Sequence, residues 1–238
     1  MLYGIRERLG FIMVTGEVGT GKTTLSKVLV QRLGEPIRSA LILNPTLNPT
    51  QLLRATLRDF GLDSAAAGNR GELLVAIEEF LLQQAKTEGN AVLIIDEAQS
   101  LSVSTLEQVR LLSNVETAKN KLLQIVLIGQ PELSQRLARD PRLRALQHRI
   151  AVHYQIQPLT QEDVTEYIRH RLQTAGSDGN TRFTKEAIAV IARISQGLPR
   201  QINLLCDQAL VAGFIRESKE IDESMVEEVS GILTTATH

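Results

Sequence analysis

This chain of 238 residues is poor in aromatic side chains, in cysteine and in net charge. It has no tryptophan and only 3% aromatic residues, which disfavours a platform on which single-stranded bases stack. A formal net charge of -1 excludes a global field that would draw the whole molecule to nucleic acid or to an acidic membrane. The single cysteine, Cys206, cannot form an internal disulfide and fits a reducing compartment.

Long hydrophobic runs are also missing. The longest purely aliphatic stretch, residues 91–95, is far too short to cross a bilayer. Met1 is followed by charged residues at positions 6–8, where a signal peptide would place an apolar core. We therefore expect a chain without a membrane segment that works in the cytoplasm. The apolar fraction of 43% and the charged fraction of 22% are ordinary for a globular protein.

Short aliphatic runs alternate with helical patterns over the first two thirds of the chain. Five runs predict strands: 10–15, 39–44, 91–96, 122–129 and 151–156. Helical spacing occupies four intervals between them: 21–34, 49–60, 71–87 and 102–117. Continuous apolar strands belong to parallel sheets that are covered on both faces. The alternation predicts an α/β fold with right-handed crossovers, in which a five-stranded parallel sheet is flanked by helices.

The pattern changes after Pro158, where only helices are predicted. Thr160 is a candidate N-cap of the first of four helices, and Pro199 opens the third. We expect a nucleotide-binding α/β domain over residues 1–158 and a small four-helix lid domain over residues 159–238.

Residues 16–23 fit the pattern G-x-x-x-x-G-K-[ST] at every specified position, between a predicted strand and a predicted helix. Glycines let successive amides approach phosphates at a helix N-terminus. Lys22 would neutralise the β- and γ-phosphates, and the Thr23 hydroxyl would be a ligand of Mg²⁺. A plain glycine turn does not need Lys-Thr at this place, so we predict ATP and Mg²⁺ as cofactors. The predicted phosphate-loop residues are Gly16, Glu17, Val18, Gly19, Thr20, Gly21, Lys22, Thr23 and Thr24.

An acidic pair, Asp96 and Glu97, ends the third predicted strand. Asp96 matches the Walker-B aspartate that holds Mg²⁺, and Glu97 could polarise a water for attack on the γ-phosphate. Acidic pairs also end strands merely because strands end at water. With the phosphate loop upstream, the pair favours hydrolysis over phosphoryl transfer to a small acceptor, the chemistry of a small-molecule kinase.

Six blocks in order, "GEVGTGKTTL", "LILNPTLNP", "LIIDEAQSLS", "LEQVRLLSNVET", "LLQIVLIGQPEL" and "GLPRQINLLCDQAL", carry a resemblance over nearly the whole chain. The chain resembles the AAA+ P-loop ATPases and, among them, the GspA/ExeA-type general secretion pathway ATPases. That group includes relatives from pilus-biogenesis and exopolysaccharide-export loci. The resemblance implies an ATPase with a partner protein in secretion or envelope assembly. It also implies that full-length relatives continue into an inner-membrane anchor.

The resemblance assigns roles to three further residues. Gln130 matches the sensor-1 place, where a polar side chain contacts the γ-phosphate or the attacking water. Asn44 matches the position whose side chain holds the catalytic glutamate away from water. Arg200 in "GLPRQIN" matches the sensor-2 arginine, which a lid carries to the γ-phosphate. Each residue also has a structural interpretation without a catalytic role. Gln130 would be an ordinary polar residue at a strand end, and Asn44 would be a turn former before proline. Arg200 would be a surface arginine near a helix N-terminus.

Arg149 lies directly before the fifth predicted strand, where AAA+ proteins place an arginine finger for the ATP of the neighbouring subunit. This implies a homo-oligomer, either a ring or an open assembly, with nucleotide at its interfaces. Arg142 and Arg144 are alternatives for the finger, and a charge run of this kind is more usually a solvated helix face.

Two other functions remain open. One is an ATP-dependent DNA-binding helper of the transposition or origin-recognition type, although the near-neutral charge disfavours nucleic acid. The other is a nucleotide-sensing scaffold that does not hydrolyse.

Overall fold

The computed structural model describes residues 1–43, 46–63, 68–87, 89–116 and 121–235. The chain divides into two compact units. The first comprises Met1–Glu17 and Lys22–Ile156, and the second comprises Val18–Gly21 and the chain from Gln157 onward. The predicted assignment of two functional domains, 1–158 and 159–238, stays a prediction.

Five parallel strands form the sheet of the first unit. They are β1 (Phe11–Gly16), β2 (Ile37–Ile42), β3 (Asn90–Ile95), β4 (Leu123–Gly129) and β5 (Ile150–Ile156). Their order across the sheet is β2-β3-β4-β1-β5, and every neighbouring pair is parallel. Because all strands run the same way, the residues that follow β1, β3 and β4 meet at one edge of the sheet. The predicted five-stranded parallel α/β fold is confirmed.

One helix precedes β1, and the other described helices of the first unit connect the strands. The helices are α1 (Leu2–Arg6), α2 (Lys22–Leu33), α3 (Pro49–Asp59), α4 (Arg70–Lys86), α5 (Val103–Leu112), α6 (Pro131–Arg139) and α7 (Arg144–Gln147). Two 3₁₀ turns, Ala98–Ser100 and Pro141–Leu143, complete the described elements of the first unit. The helix predicted to reach residue 117 ends at Leu112, because the amides of Ser113 and Asn114 tighten onto carbonyls three residues back. The short helices α1, α6 and α7 have no counterpart in the predicted pattern.

The central strands are buried on both faces, which explains their unbroken apolar runs. Leu93 and Leu127 belong to one apolar cluster, whereas Ile94 and Val126 belong to the cluster on the opposite face. β5 differs, because it is an edge strand and most of its side chains are exposed. The rigid central strands therefore hold the polar residues that follow them at fixed positions.

The second unit contains four helices over its own apolar core. They are α8 (Gln161–Thr174), α9 (Lys185–Ser195), α10 (Pro199–Ile215) and α11 (Glu223–Thr235). Thr160 caps α8 as predicted, and its hydroxyl accepts a hydrogen bond from the Asp163 amide.

The prediction of helices alone in this unit was wrong. The two-residue strands β6 (Arg182–Phe183) and β7 (Glu220–Ile221) pair in parallel. Phe183 and Ile221 are buried in the apolar core, which brings the two backbone segments together. Two residues are too few to show a period-two pattern, so these strands could not be predicted from the sequence.

Candidate active site

The phosphate loop has the backbone that its glycines permit. Gly19 and Gly21 have φ of +86° and +88°, a region that side chains with a Cβ atom rarely adopt. At Gly21 a Cβ would meet nothing within 4 Å, so the positive φ alone accounts for glycine there. α2 begins at Lys22, and the free amides of its first turn therefore follow the loop directly.

The Lys22 ammonium is buried and held by the loop itself. Nζ donates hydrogen bonds of 2.9 Å to the carbonyl oxygens of Gly16 and Glu17, and the residue is only 5% exposed. A buried ammonium needs such acceptors, because its desolvation would otherwise be very costly. The charge is thus fixed beside the predicted phosphate position.

Thr23 and Asp96 meet although they are distant in sequence. The Thr23 hydroxyl donates a hydrogen bond of 2.6 Å to Oδ2 of Asp96, and Oδ1 accepts one of 2.9 Å from the Glu97 amide. The Asp96 amide is bonded to the carbonyl of Ile42 at the end of β2, so its backbone is also fixed. A hydroxyl and a carboxylate are the hard oxygen donors that Mg²⁺ prefers. These two residues therefore fit the predicted metal, with phosphates and water to complete its shell.

Two glutamine side chains hold the Glu97 carboxylate. Nε2 of Gln99 donates to Oε2 of Glu97 over 2.5 Å, and Nε2 of Gln130 donates to the same oxygen over 3.3 Å. Glu97 itself has φ of +52°, a strained left-handed conformation for a residue other than glycine. Gln130 lies where the sequence predicts it, directly after β4, as the N-cap residue of α6. This geometry brings Gln130 and Glu97 together.

Sequence reasoning missed Gln99. It lies in the 3₁₀ turn immediately after the acidic pair, in "DEAQ", and that position was the available signal. Its Oε1 also accepts a hydrogen bond of 3.1 Å from the Gln130 amide. Gln99 therefore bridges the residues that follow β3 and β4.

Arg136 fixes the backbone of the same turn. Its Nη1 donates to the carbonyl oxygens of Gln99 and Leu101, over 3.0 Å and 2.6 Å. The guanidinium of Arg136 is therefore bonded to backbone carbonyls of this turn, unlike an arginine on a solvated helix face. Neither the charge run nor its spacing could distinguish it from its exposed neighbour Arg139.

Arg149 directly precedes β5, as predicted, but its side chain is engaged within the unit. Nη1 donates to the Ser113 hydroxyl over 2.5 Å and to the carbonyl of Arg110 over 3.4 Å. Arg110 is paired with Glu107 through three hydrogen bonds of 2.6–3.0 Å. The Arg110 hydrogen bonds lower the pKa of the Glu107 carboxyl, with a smaller contribution from the charge of Arg149.

The alternatives to Arg149 have different surroundings. Arg142 is exposed and pairs with Asp140 over 2.7 Å, and that guanidinium lowers the pKa of the Asp140 carboxyl. Arg144 is exposed at the first position of α7. Among the described hydrogen bonds and ion pairs, neither these two arginines nor Arg149 contacts the side chains of Glu97, Gln99 or Gln130.

Arg200 lies in the second unit, at the second position of α10. α10 begins at Pro199, as predicted, and the Arg200 amide donates to the carbonyl of Gly19 over 3.1 Å. A Cβ on Gly19 would lie 2.9 Å from the Arg200 Cβ, so this close approach also requires glycine. The Arg200 residue is exposed. Asn44, the remaining predicted residue, lies outside the described residues.

A family model described as an AAA domain matches residues 5–137, more than half of the chain. General secretion pathway protein A of Aeromonas hydrophila is 46% identical over 239 residues, which cover 99% of this chain and 43% of that protein. An uncharacterized HTH-type transcriptional regulator of Methanocaldococcus jannaschii is 26% identical over 155 residues, 63% of this chain and 37% of that protein. The chain spans less than half the length of both curated relatives.

Solved structures share the fold at low sequence identity. The ORC2 protein of Aeropyrum pernix, in ADPNP and ADP complexes, superposes with a TM-score of 0.70 at 16% identity, over 95% of this chain and 64% of that one. The Holliday junction branch migration motor RuvB of Thermotoga maritima gives 0.64 at 18% identity, over 97% and 66%. Across the described ranges, no helix has both the length and the apolar character required to cross a membrane. With a matching family model, a phosphate loop and an acidic pair on a parallel sheet, this chain belongs to the AAA domain family and is related to general secretion pathway protein A.

Proposed function

We propose that this chain binds ATP with Mg²⁺ in the loop 16–23 and hydrolyses it to ADP and phosphate. The observation that carries the proposal is the meeting of Thr23 and Asp96 over 2.6 Å, with Glu97 beside them. A fold that only needed a turn would gain nothing from a hydroxyl, a buried carboxylate and a second carboxylate at one edge of the sheet. In P-loop ATPases these groups serve phosphoryl transfer to water.

The residues divide the work of hydrolysis. Lys22 and the loop amides neutralise and orient the phosphates, and Thr24 is a further phosphate contact. Thr23 and Asp96 would hold Mg²⁺, which neutralises phosphate charge when it is bound. Glu97 takes a proton from the attacking water or orients it, and Gln130 contacts that water or the γ-phosphate. Asn44, Arg149 and Arg200 complete the proposed catalytic set.

We propose that the active sites are shared between subunits of a homo-oligomer. Arg149 lies at the position of an arginine finger, and a finger supplied by a neighbour contributes about 10³–10⁵ in rate in other NTPases. In the isolated chain Arg149 is bonded to Ser113 and Arg110, so it would have to leave these partners to reach a neighbour's nucleotide. Assembly would then control hydrolysis.

The relative named general secretion pathway protein A supports a role in secretion or in cell-envelope assembly, with a partner protein in that machinery. We propose that the chain acts in the cytoplasm, where ATP is available, whereas longer relatives of this group would be anchored in the inner membrane.

The test is ATP turnover per protomer over a wide range of protein concentration. Wild type is compared with Lys22→Ala and Arg149→Ala, and with Arg139→Ala as an exposed arginine control from α6. We expect the specific activity of wild type to rise with protein concentration. Lys22→Ala should lose nucleotide binding, whereas Arg149→Ala should bind ATP but show no rise in specific activity with concentration. A specific activity that is independent of concentration and unchanged by Arg149→Ala would contradict the shared site. Binding without turnover at any concentration would favour a nucleotide-sensing scaffold instead.

A DNA-binding helper is the second candidate, and two observations favour it. RuvB, a Holliday junction motor, has the same fold, and one curated relative is called an HTH-type transcriptional regulator. The net charge of -1 speaks against it. Retention on duplex DNA that falls steeply with salt would support this candidate, and salt-independent absence of retention would exclude it.

A further inference from the structure

The geometry points to Gln99 as a positioning residue that couples Gln130 to Glu97. Gln99 is bonded to both: its Nε2 reaches the Glu97 carboxylate over 2.5 Å, and its Oε1 receives the Gln130 amide over 3.1 Å. The inference rests on the proposed function, because it assigns to Gln99 the orientation of the carboxylate that activates water. It also makes a prediction about the contact itself, which can be tested without turnover.

The orientation of the Gln99 amide follows from its two partners. The Gln130 backbone N–H can only donate, so the atom that faces it must be the Gln99 oxygen. The remaining NH₂ group then faces Glu97, where an ionised carboxylate can only accept. A flipped amide would place like groups together at both ends. Gln99 therefore joins a fixed donor to a fixed acceptor, and no other orientation satisfies both.

The surroundings of Gln99 are adapted to this bridge. A Cβ on Gly129, the last residue of β4, would lie 2.7 Å from Oε1 of Gln99, so the bridge occupies the space that glycine leaves. Arg136 holds the carbonyl of Gln99 itself, over 3.0 Å. Backbone and side chain of Gln99 are thus both fixed by elements that follow β4.

The two glutamines hold Glu97 with unequal strength. The bond from Gln130 is 3.3 Å long, whereas the bond from Gln99 is 2.5 Å long. Shorter charge-assisted hydrogen bonds are the stronger ones. When the Gln130 side chain turns toward a γ-phosphate or a water, its long bond to Glu97 is given up. Gln99 then keeps the carboxylate in place, while the Gln130 amide transmits any movement of that residue.

Two substitutions of similar size separate the two bonds. Gln99→Met removes both, whereas Gln99→Glu keeps an oxygen for the Gln130 amide and replaces the donor to Glu97 with a like charge. Gln83→Met, at an exposed position of α4, is the control for a change of glutamine to methionine. Steady-state kcat and KM are measured for the full chain, with ATP affinity measured separately. Hydrogen exchange of the Gln130 amide is followed by NMR.

We expect kcat to fall about 10- to 100-fold in both Gln99 variants, since hydrogen bonds to charged groups are worth more than neutral ones. ATP affinity should stay within about twofold of wild type, because no contact to the phosphate loop is changed. Exchange of the Gln130 amide should quicken in Gln99→Met and remain slow in Gln99→Glu. A residue that only supported the turn would quicken exchange of the Gln130 amide alike in both variants, so the exchange measurement separates the two roles.

Three results have distinct meanings. Wild-type kcat in both variants would overturn the positioning role. Equal loss of Gln130 protection in both would overturn the bridge and show general loosening of the turn. A wild-type chain without turnover would overturn the proposed function. The bridge would then be tested by exchange of the Gln130 amide alone, which should be faster in Gln99→Met than in Gln99→Glu.

Discussion

Thr23 and Asp96 are separated by 73 positions in the sequence, and the hydroxyl of one donates to the carboxylate of the other over 2.6 Å. Asp96 is 1% exposed, so its charge is buried and requires donors. The Thr23 hydroxyl and the Glu97 amide supply them. The same oxygens form a pair of hard ligands, and this contact therefore marks where a divalent cation is expected to bind.

Replacing Thr23 should separate metal binding from nucleotide binding. Thr23→Val keeps the shape of the side chain but removes the hydroxyl, and Thr23→Ser keeps the hydroxyl. We expect the gain in ATP affinity on adding Mg²⁺ to fall about tenfold or more in Thr23→Val and to be retained in Thr23→Ser. Calorimetric titrations with and without EDTA measure this gain. An equal gain in all three proteins would remove Thr23 from the metal site.

Gly129→Ala should impair the site more than the fold. The added Cβ would lie 2.7 Å from Oε1 of Gln99 and 3.1 Å from Cδ2 of Leu133, and the glutamine end can move. We expect a loss of about 1–2 kcal/mol in the free energy of unfolding and a fall in kcat like that of Gln99→Met. Urea unfolding and steady-state kinetics measure the two effects.

Gly231→Ala, on α11, is the matched control for that substitution, because a Cβ added to Gly231 would meet nothing within 4 Å. It should raise the free energy of unfolding by about 0.5–1 kcal/mol through helix propensity and leave kcat unchanged. A normal kcat for Gly129→Ala would show that Gln99 tolerates displacement.

Gly197→Ala should destabilise the second unit. Its φ is +71°, and an added Cβ would lie 2.1 Å from the carbonyl oxygen of Leu159, a backbone atom that cannot turn away. We expect a loss of about 3–5 kcal/mol in the free energy of unfolding. Gly176→Ala has a similar φ of +82° with nothing within 4 Å, and it should cost only about 1–2 kcal/mol. Equal losses by urea unfolding would mean that backbone strain, and not the Leu159 contact, determines the cost.

Cys206 should be unreactive in the folded chain. Burial, and secondarily the charge of Asp207, raises the pKa of its thiol to about 12. Because the thiolate is the nucleophile, Ellman's reagent at pH 8 should react slowly with the folded chain and rapidly after denaturation. The folded chain holds this proton more tightly than the unfolded one, so its contribution to stability is present below about pH 9 and is lost between about pH 9 and pH 12. Rapid reaction of the native chain, with Cys206→Ser as the blank, would show that this half-buried thiol is accessible to the reagent.

The phosphate loop and the acidic pair could be predicted because each is a local pattern with a single physical reason. Lys22 follows a glycine at a strand-to-helix turn, and Asp96 follows a buried strand, so both motifs are read within a dozen residues. The fold class was predicted for a similar reason, since strands buried on both faces read as unbroken apolar runs.

The bridge through Gln99 could not be predicted in this way. It depends on the register of β3 against β4 and on the space above Gly129, neither of which is encoded near Gln99 in the sequence. Arg136 shows the same limit, because its partners are carbonyl oxygens of a turn more than thirty positions earlier. Every residue has a backbone carbonyl, so the sequence does not show which carbonyl oxygens will accept a hydrogen bond from an arginine. A run of arginines likewise does not show which of them will donate.

The pairing of Lys22 with the carbonyls of Gly16 and Glu17 has a kinetic consequence. The loop holds its shape through its own hydrogen bonds, so an incoming triphosphate need not wait for the loop to fold around it. Capture should then proceed as a single bimolecular step whose observed rate rises linearly with ligand concentration in stopped-flow mixing. The lysine's return to the two carbonyls would accompany dissociation, and the dissociation rate sets how long the nucleotide resides on the chain.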